Sequence, residues 1–334
     1  MIQHVIEIHH MFFFMYAQIG LYDIGMIGEG FTFEVPEKMK LEIGDLCEVE
    51  VTGKPYCGLV MSISETFFGE YKAHMIQRKI EHPFGKLVGE DRVKLLLQIA
   101  KYYLSPFQKV VKLGIPEKIW LGTYKQKKVQ VLLPKNVESA GGLKKLTGEQ
   151  KGIVDSILSS EKRMSLIHAV TGAGKTEIYA HLATDMKKKG KTSLILVPEI
   201  ALTPQLLGYF MNVFGDRIAV FHSKLSDGEK CQEWMRVRNG EVDIVIGSRS
   251  ALFAPIQNIG LVVVDEEHEW TYKNEQHPRY YVHRVLDMMS DIYPELKVVY
   301  GSATPRVEMM FDALNGKETA LYTLDQKIYE QTSL

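Results

Sequence analysis

The chain has 334 residues, a net charge of −1, 46% hydrophobic residues and 24% charged residues. This length suggests two or three domains, and the composition is that of a globular protein rather than a disordered or fibrous one. The near-zero charge excludes a broadly basic molecule, so a nucleic acid would have to bind a local patch.

No segment is long enough to predict a membrane helix. The most apolar run, Met11 to Tyr16 (MFFFMY), is far shorter than the ~20 residues that span a bilayer, and no basic residue precedes it as in a signal peptide. We interpret it as a buried strand, and we expect a cytoplasmic protein that has no membrane partner. Cys47, Cys57 and Cys231 form no C-x-x-C pair, so we expect reduced thiols and no zinc site.

Residues 1–85 predict a small β-rich domain. Apolar and polar residues alternate over Phe31–Val35 and again over Leu46–Val51, and Gly58–Ser64 is a further short apolar run. Lys54-Pro55 is predicted to be a turn. Several short strands with such punctuation are typical of a small barrel or sandwich.

Residues 86–145 predict a helix and a linker. The apolar residues of Arg92–Leu104 recur at helical spacing, and a proline follows shortly after them. The polar, lysine-rich stretch that comes next predicts a linker with one short strand at Val129–Leu133.

From Leu146 onward, short apolar runs alternate with helical patterns. Continuous apolar strands separated by helices indicate an α/β fold with a central parallel sheet covered on both faces. The predicted strands are Ser165–Ala169, Ser193–Val197, Arg217–Phe221, Asp243–Ile246, Leu261–Val264 and Lys297–Tyr300.

A P-loop is the strongest motif. Ala169–Thr176 (AVTGAGKT) lies between a predicted strand and a predicted helix, which is the context that this phosphate-binding loop requires. Lys175 would neutralise the β- and γ-phosphates, and the Thr176 hydroxyl would bind Mg²⁺. Alanine replaces the first glycine of the pattern, which is harmless if that residue is still part of the strand. The loop residues expected to contact phosphate are Thr171, Gly172, Ala173, Gly174, Lys175 and Thr176.

A second motif, Leu261–His268 (LVVVDEEH), is an apolar strand that ends in acids. Three acids at the end of a buried strand are costly unless a cation or polar group contacts them. We expect Asp265 to bind Mg²⁺ and Glu266 to orient the attacking water as catalytic base. His268 is predicted to couple the nucleotide to the nucleic acid, although a histidine on a surface loop is the simpler alternative.

The order of these motifs resembles the first RecA-like lobe of a superfamily-two helicase. Leu146–Gln150 (LTGEQ) is similar to the motif that reads adenine through a glutamine, here Gln150. Gly301–Pro305 (GSATP) is similar to the motif that couples hydrolysis to strand separation, which implies coupling roles for Ser302 and Thr304. The resemblance implies a RecA-like lobe over residues 146–334.

Further blocks resemble the PriA family of replication-restart helicases. They imply that Arg249, Trp270, Tyr272, Lys273 and Arg279 contact single-stranded DNA through phosphate contacts and base stacking. For the block Trp270–Tyr281, the alternative is a solvated turn with incidental aromatic residues. The blocks are Val197–Gln205, Phe221–Ser223 with Leu225–Glu229 and Trp234, Gly247–Pro255, and Trp270–Tyr281 (WTYKNEQHPRYY).

The resemblance implies an ATP- and Mg²⁺-dependent 3′-to-5′ DNA helicase that acts on forked and single-stranded DNA. It also implies single-stranded-DNA-binding protein and other primosome proteins as partners. Residues 31–64 resemble the family's domain for the 3′ end of a nascent strand, but the family's aromatic-Asp-aromatic pattern is Phe31-Thr32-Phe33 here. The acid is therefore missing, and the winged helix expected next is absent or reduced.

The family's second motor lobe and zinc-binding cysteine cluster are not recognisable after Pro305. We therefore expect a fragment, a truncated gene product or half of a split protein, with very slow turnover because an arginine finger contributes roughly 10³–10⁵ in rate. Two alternatives stay open: a module that binds DNA and ATP without turnover, and another superfamily-two motor, such as a RecG-like or RecQ-like helicase or a type I restriction subunit. Steady-state ATPase activity with and without forked DNA separates the helicase from the binding module.

Overall fold

The computed structural model describes residues 15–25, 30–67, 73–125, 142–316 and 318–325. The chain divides into two compact units, Met1–Val111 and Lys112–Leu334. The division places the helix that begins at Glu90 in the first unit, whereas the sequence predicted a separate helix-and-linker region from residue 86. No helix in the described ranges is both long and apolar enough to cross a bilayer.

The first unit is built on a six-stranded, mostly antiparallel sheet with the strand order β5-β2-β1-β4-β3-β6. Its core contains the inward-facing side chains Ala17, Ile19, Val49 and Val60, which are fully buried. The predicted strands at residues 31–35 and 46–51 are confirmed. The strands are β1 (Met15–Leu21), β2 (Phe31–Val35), β3 (Leu46–Val51), β4 (Lys54–Ser64), β5 (His74–Met75) and β6 (Arg78–Ile80).

The turn predicted at Lys54-Pro55 is wrong by two residues. Thr52 and Gly53 form the turn, with φ angles of 51° and 77°, and two left-handed residues in succession are typical of a tight hairpin. Pro55 instead lies in β4, opposite Glu50 of β3. Of the strand predicted over residues 11–16, only Met15 and Tyr16 are described, and they begin β1. The strand predicted at Val129–Leu133 lies outside the described residues.

The second unit contains a parallel seven-stranded sheet with the order β13-β7-β12-β11-β8-β10-β9. The six strands predicted in this part of the chain are confirmed within two residues at each end, and β13 was not predicted. The strands are β7 (Met164–Ala169), β8 (Thr192–Leu196), β9 (Ile218–Phe221), β10 (Ile244–Gly247), β11 (Ile259–Asp265), β12 (Lys297–Ser302) and β13 (Thr319–Leu324).

Helices pack against this sheet through apolar faces, and those of α4, α5 and α6 form one core cluster with the strands. The α-helices in the described ranges are α1 (Glu90–Tyr102), α2 (Phe107–Gly114), α3 (Glu117–Trp120), α4 (Gly148–Ser159), α5 (Lys175–Lys188), α6 (Pro204–Phe214), α7 (Asp227–Arg238), α8 (Val282–Ile292) and α9 (Val307–Asn315). Because all seven strands are parallel, their carboxyl ends meet at one edge. Ligands of open α/β sheets bind at that edge.

Candidate nucleotide and DNA site

The P-loop joins β7 to α5 at the carboxyl edge of the sheet. Gly172 and Gly174 have φ angles of 83° and 80°, a left-handed conformation that favours glycine. Ala169 is the last residue of β7 and pairs with Leu324 in the ladder. Its backbone is that of an ordinary strand, which explains why alanine is accepted at the first position of the loop.

Gln150 holds the P-loop in place. Its side-chain amide donates to the carbonyls of Ala173 (3.1 Å) and Gly174 (3.3 Å), and its Oε1 accepts a hydrogen bond from the Thr147 backbone. Thr147 and Gln150 also form a capping box at the start of α4. The amide is buried and is hydrogen-bonded through both its nitrogen and its oxygen, so it positions the phosphate loop. The adenine contact of Gln150 stays a prediction.

Lys175 connects the P-loop to the acidic motif, the acids that end the segment Leu261–His268. Its ammonium group lies 3.1 Å from Oε1 of Glu266, and its side chain is only 10% exposed. Asp265 accepts a 2.9 Å hydrogen bond from the hydroxyl of the buried Tyr179. Burial raises the pKa of Asp265, although Lys175 opposes the shift. Glu266 has a φ of 46°, a left-handed conformation that side chains adopt at a cost and that is frequent at functional sites.

Gly301 is packed directly against this cluster. A Cβ atom at this position would lie 1.8 Å from the Tyr179 hydroxyl and 3.3 Å from Cδ of Lys175. Gly301 therefore permits the close approach of β12 that leaves Tyr179 bonded to Asp265.

Gly301→Ala should destabilise the protein by about 1–3 kcal/mol, because the methyl group overlaps Tyr179. Adding Tyr179→Phe to Gly301→Ala removes the overlapping hydroxyl and should restore part of the lost stability. Thermal unfolding of both single variants and the double variant measures the coupling. A double variant as unstable as the sum of the single variants would show that the overlap is absent.

His268 and Ser302 link the acidic motif to the GSATP segment. His268 Nδ1 lies 2.7 Å from the Ser302 hydroxyl oxygen, which also accepts a 3.0 Å hydrogen bond from the Thr304 backbone. On the other side, His168 at the end of β7 contacts the carbonyl of Ala303 at 3.2 Å. The three residues predicted to couple ATP to DNA are therefore joined by direct hydrogen bonds, and His268 is not an isolated loop histidine.

Glu267 is a central residue to which the sequence analysis gave no role. Its carboxylate is fully buried and accepts hydrogen bonds from the Arg306 backbone (2.8 Å), the Arg306 Nε (3.0 Å) and His283 Nε2 (3.1 Å). Burial alone would raise the pKa of Glu267, but the hydrogen bonds from His283 and Arg306 outweigh it and lower that pKa. The cost of burying three successive acids was the signal that could have identified it.

The segment Trp270–Tyr281, which we call the aromatic loop, exposes its first ring to solvent and buries its second. Trp270 is 69% exposed, whereas Tyr272 is 1% exposed. The Tyr272 hydroxyl donates to the carbonyls of Leu196 (3.1 Å) and Asp265 (2.6 Å). The base-stacking role predicted for Tyr272 is therefore wrong, since its ring holds the ends of β8 and β11 together.

The three predicted phosphate-contacting residues also differ from one another. Lys273 and Arg279 are exposed, as that role requires. Arg249 instead donates from Nη1 to the carbonyls of Thr271 (2.9 Å) and Lys273 (2.5 Å). It therefore fixes the conformation of the aromatic loop.

Ile200, which the sequence analysis did not single out, is 85% exposed in the turn after β8. Strands β8 and β11 are neighbours, so Ile200 and Trp270 follow adjacent strand ends. An aliphatic and an aromatic side chain are thus both exposed at the carboxyl edge.

The described residues contain no group of three or more His, Cys, Asp or Glu side chains that could hold a metal ion. A pair such as Thr176 and Asp265 falls below that number, so the finding does not bear on Mg²⁺ held jointly with a nucleotide.

Comparisons with known proteins match both units. A family model described as 3′DNA-binding domain (3′BD) matches residues 23–116, and one described as DEAD/DEAH box helicase matches residues 147–311. The chain is 45% identical over 175 residues to "Replication restart protein PriA" of Bacillus subtilis, covering 51% of this chain and 22% of the relative. It is 34% identical over 283 residues to the protein of that name from Rickettsia felis, covering 85% and 42%.

The chain belongs to the PriA family. It spans between 22% and 42% of the length of the PriA relatives that it matches. Solved structures with a similar fold include RecG bound to a three-way DNA junction, with a TM-score of 0.41, 24% identity, and coverage of 56% of this chain and 24% of that one. A hypothetical ATP-dependent RNA helicase from Sulfolobus tokodaii has a TM-score of 0.38, 21% identity, and coverage of 55% and 53%.

Proposed function

We propose that the chain supplies the nucleotide-binding lobe and a DNA-binding domain of an ATP-dependent helicase of replication restart, which moves 3′ to 5′ along DNA. The observation that carries this proposal is the row of contacts along the sheet edge. Lys175 contacts Glu266, and two residues further on His268 contacts Ser302. This row of contacts connects the P-loop to Ser302 through His268. His268 in turn lies two residues before the exposed Trp270. Membership of the PriA family supports the role in replication restart.

The residues at this edge fit a nucleotide with Mg²⁺. The left-handed glycines at 172 and 174 shape a loop whose backbone N–H groups can bind phosphate, and α5 begins directly after it. Asp265 is a half-buried carboxylate whose pKa is raised by desolvation, so a divalent cation would compensate its charge. Thr176 and Asp265 would hold Mg²⁺, which neutralises phosphate charge when bound.

The contacts of Lys175 suggest how the site is switched. The Lys175 ammonium group bonds to Glu266. A γ-phosphate competes for the same ammonium group and releases the Glu266 carboxylate, which can then orient a water for in-line attack and accept its proton. Loss of the phosphate restores the pair, and His268 transmits the change to Ser302.

The proposed partners are forked and single-stranded DNA, together with single-stranded-DNA-binding protein and other primosome proteins. Exposed Trp270, Lys273 and Arg279 support the DNA assignment, because aromatic stacking and phosphate contacts are the two components of single-strand binding.

Asp265→Asn tests the metal role. The raised pKa means that ionised Asp265 destabilises the fold, a cost that is absent at acid pH and grows as pH rises through the folded-state value. At pH 7 the asparagine variant should therefore unfold at an equal or higher temperature than the parent, while Mg²⁺-dependent binding of an ATP analogue is lost. Unchanged binding in this variant, with and without EDTA, would refute the role of Asp265.

Trp270→Ala and Arg279→Ala test the DNA contacts. Trp270→Ala should weaken single-strand binding by about 1–3 kcal/mol at all salt concentrations. Arg279→Ala should reduce the salt dependence by about 0.7 log units per log unit of salt. A fluorescence titration across a salt series, beside melting curves, measures both, with Lys188→Ala as a control because that lysine is exposed on α5. A Trp270→Ala variant with lower thermal stability and parental DNA affinity would show that the ring only packs.

A further inference from the structure

A buried tyrosine on the helix that follows the P-loop holds the side chain of Asp265. Tyr179 lies one turn into α5, is 2% exposed and belongs to the core cluster between this helix and the sheet. Its hydroxyl donates a 2.9 Å hydrogen bond to Oδ1 of Asp265, at the end of β11. The bond therefore joins the helix of the P-loop to the carboxylate that is proposed to bind Mg²⁺.

The surroundings of this hydrogen bond restrict the movement of both partners. Asp265 and Gly301 lie opposite each other in the ladder between β11 and β12. A Cβ atom at residue 301 would lie 1.8 Å from the Tyr179 hydroxyl oxygen, so the hydroxyl packs directly on the Gly301 backbone. The Tyr272 hydroxyl donates a 2.6 Å hydrogen bond to the Asp265 carbonyl. One tyrosine thus holds the main chain of Asp265 and the other holds its carboxylate.

The hydrogen bond to Oδ1 changes how the carboxylate can bind a cation. A donor on one carboxylate oxygen competes with a cation for that atom, which favours binding of the cation through the other oxygen. Contact through a single oxygen suits Mg²⁺, because this ion demands a near-octahedral arrangement of ligands. Ca²⁺ takes more ligands in a more flexible arrangement and can bind both oxygens of a carboxylate.

The simpler alternative is that Asp265 serves Tyr179. A tyrosine in a core needs a hydrogen-bond partner for its own hydroxyl, and the bond would then contribute only to stability. The two roles differ in one consequence, since only control of the carboxylate changes which cation the site prefers.

We propose that Tyr179 is a positioning residue that makes the site selective for Mg²⁺ over Ca²⁺, because it occupies Oδ1 of Asp265 and limits a cation to the other oxygen. The inference rests on the proposed function, in which Asp265 binds Mg²⁺ beside a nucleotide. It adds a determinant of metal selectivity on α5. Hydrogen-bonding partners of metal-binding side chains typically contribute about 10–100-fold in metal affinity.

The test measures the affinity for an ATP analogue with saturating Mg²⁺, with saturating Ca²⁺ and with EDTA. The parent should bind the Mg²⁺ complex about fivefold or more tightly than the Ca²⁺ complex. Tyr179→Phe keeps the ring and should weaken binding of the Mg²⁺ complex about tenfold and that of the Ca²⁺ complex less than about threefold. Its affinity in EDTA should equal that of the parent. Tyr300→Phe is the matched control, because it removes the hydroxyl of another buried tyrosine, whose ring stacks on His283.

A Tyr179→Phe variant that melts earlier but keeps the parental ratio of the two affinities would overturn the inference and show that the hydroxyl only stabilises the core. The parent alone gives the test if this variant does not fold, since equal affinity for the Mg²⁺ and Ca²⁺ complexes would also overturn the inference. A parent that binds the analogue no more tightly with Mg²⁺ than with EDTA would contradict the proposed function, and the inference with it. Metal-dependent binding with an unchanged preference would overturn the role of Tyr179 alone.

Discussion

Lys175→Ala is expected to abolish detectable binding of ATP analogues. The ammonium group is nearly buried and lies at the junction of the P-loop and the acidic motif. Each hydrogen bond to a charged group contributes about 1.5–3 kcal/mol, and a lysine can donate three. The loss of two such bonds weakens affinity on the order of 100-fold or more, since every 1.4 kcal/mol is a factor of ten. The phosphates would also face Glu266 without the ammonium group that pairs with it.

Equilibrium titration with a fluorescent nucleotide in the presence of Mg²⁺ measures this loss. Lys188→Ala is the control, because it removes the same charge from the exposed end of the same helix. Equal affinity of the Lys175→Ala variant and the parent would mean that the nucleotide binds elsewhere or not at all.

Glu267→Ala should cause the largest loss of stability of any single change considered. It leaves the His283 imidazole and the Arg306 guanidinium and backbone N–H without their buried acceptor. Breaking a buried pair in this way costs about 3–5 kcal/mol, which corresponds to roughly 6–20 °C in melting temperature for a unit of this size. Since the pKa of Glu267 is lowered, its stabilisation should also disappear as pH falls through the folded-state value.

Thermal unfolding across pH 4 to 8 provides the measurement. Glu275→Ala is the comparison, because that glutamate is exposed on the same segment. Glu267→Gln keeps the shape of the side chain and should lie between the two. If Glu267→Ala melts with the parent, the buried network does not stabilise the fold.

The parallel sheet and the nucleotide motifs could be predicted because their signals are local. Each buried strand is a short apolar run, and the P-loop and DEEH motif each follow one of these strands. Strand β13 was missed because it pairs only with β7 at the edge of the sheet, and its sequence (TALYTL) is half-buried and mixed in polarity.

The orientation of individual side chains was less predictable. Trp270 and Tyr272 are two residues apart in one short turn, yet one ring is exposed and the other is buried. Both are aromatic residues in the same segment, so the sequence alone favours the same base-stacking role for both. Gln150 and Arg249 likewise bond to backbone carbonyls of distant segments, and these contacts become evident only once the fold brings the segments together.

The binding of single-stranded DNA in the absence and presence of a saturating ATP analogue tests the central claim most directly. Coupling between two sites is typically worth 1–3 kcal/mol, so the analogue should change the DNA affinity of the parent about fivefold or more. The affinity of Lys175→Ala should be the same under both conditions. If the parent binds both ligands and its DNA affinity does not respond to the nucleotide, the row of contacts from Lys175 to Ser302 does not couple them.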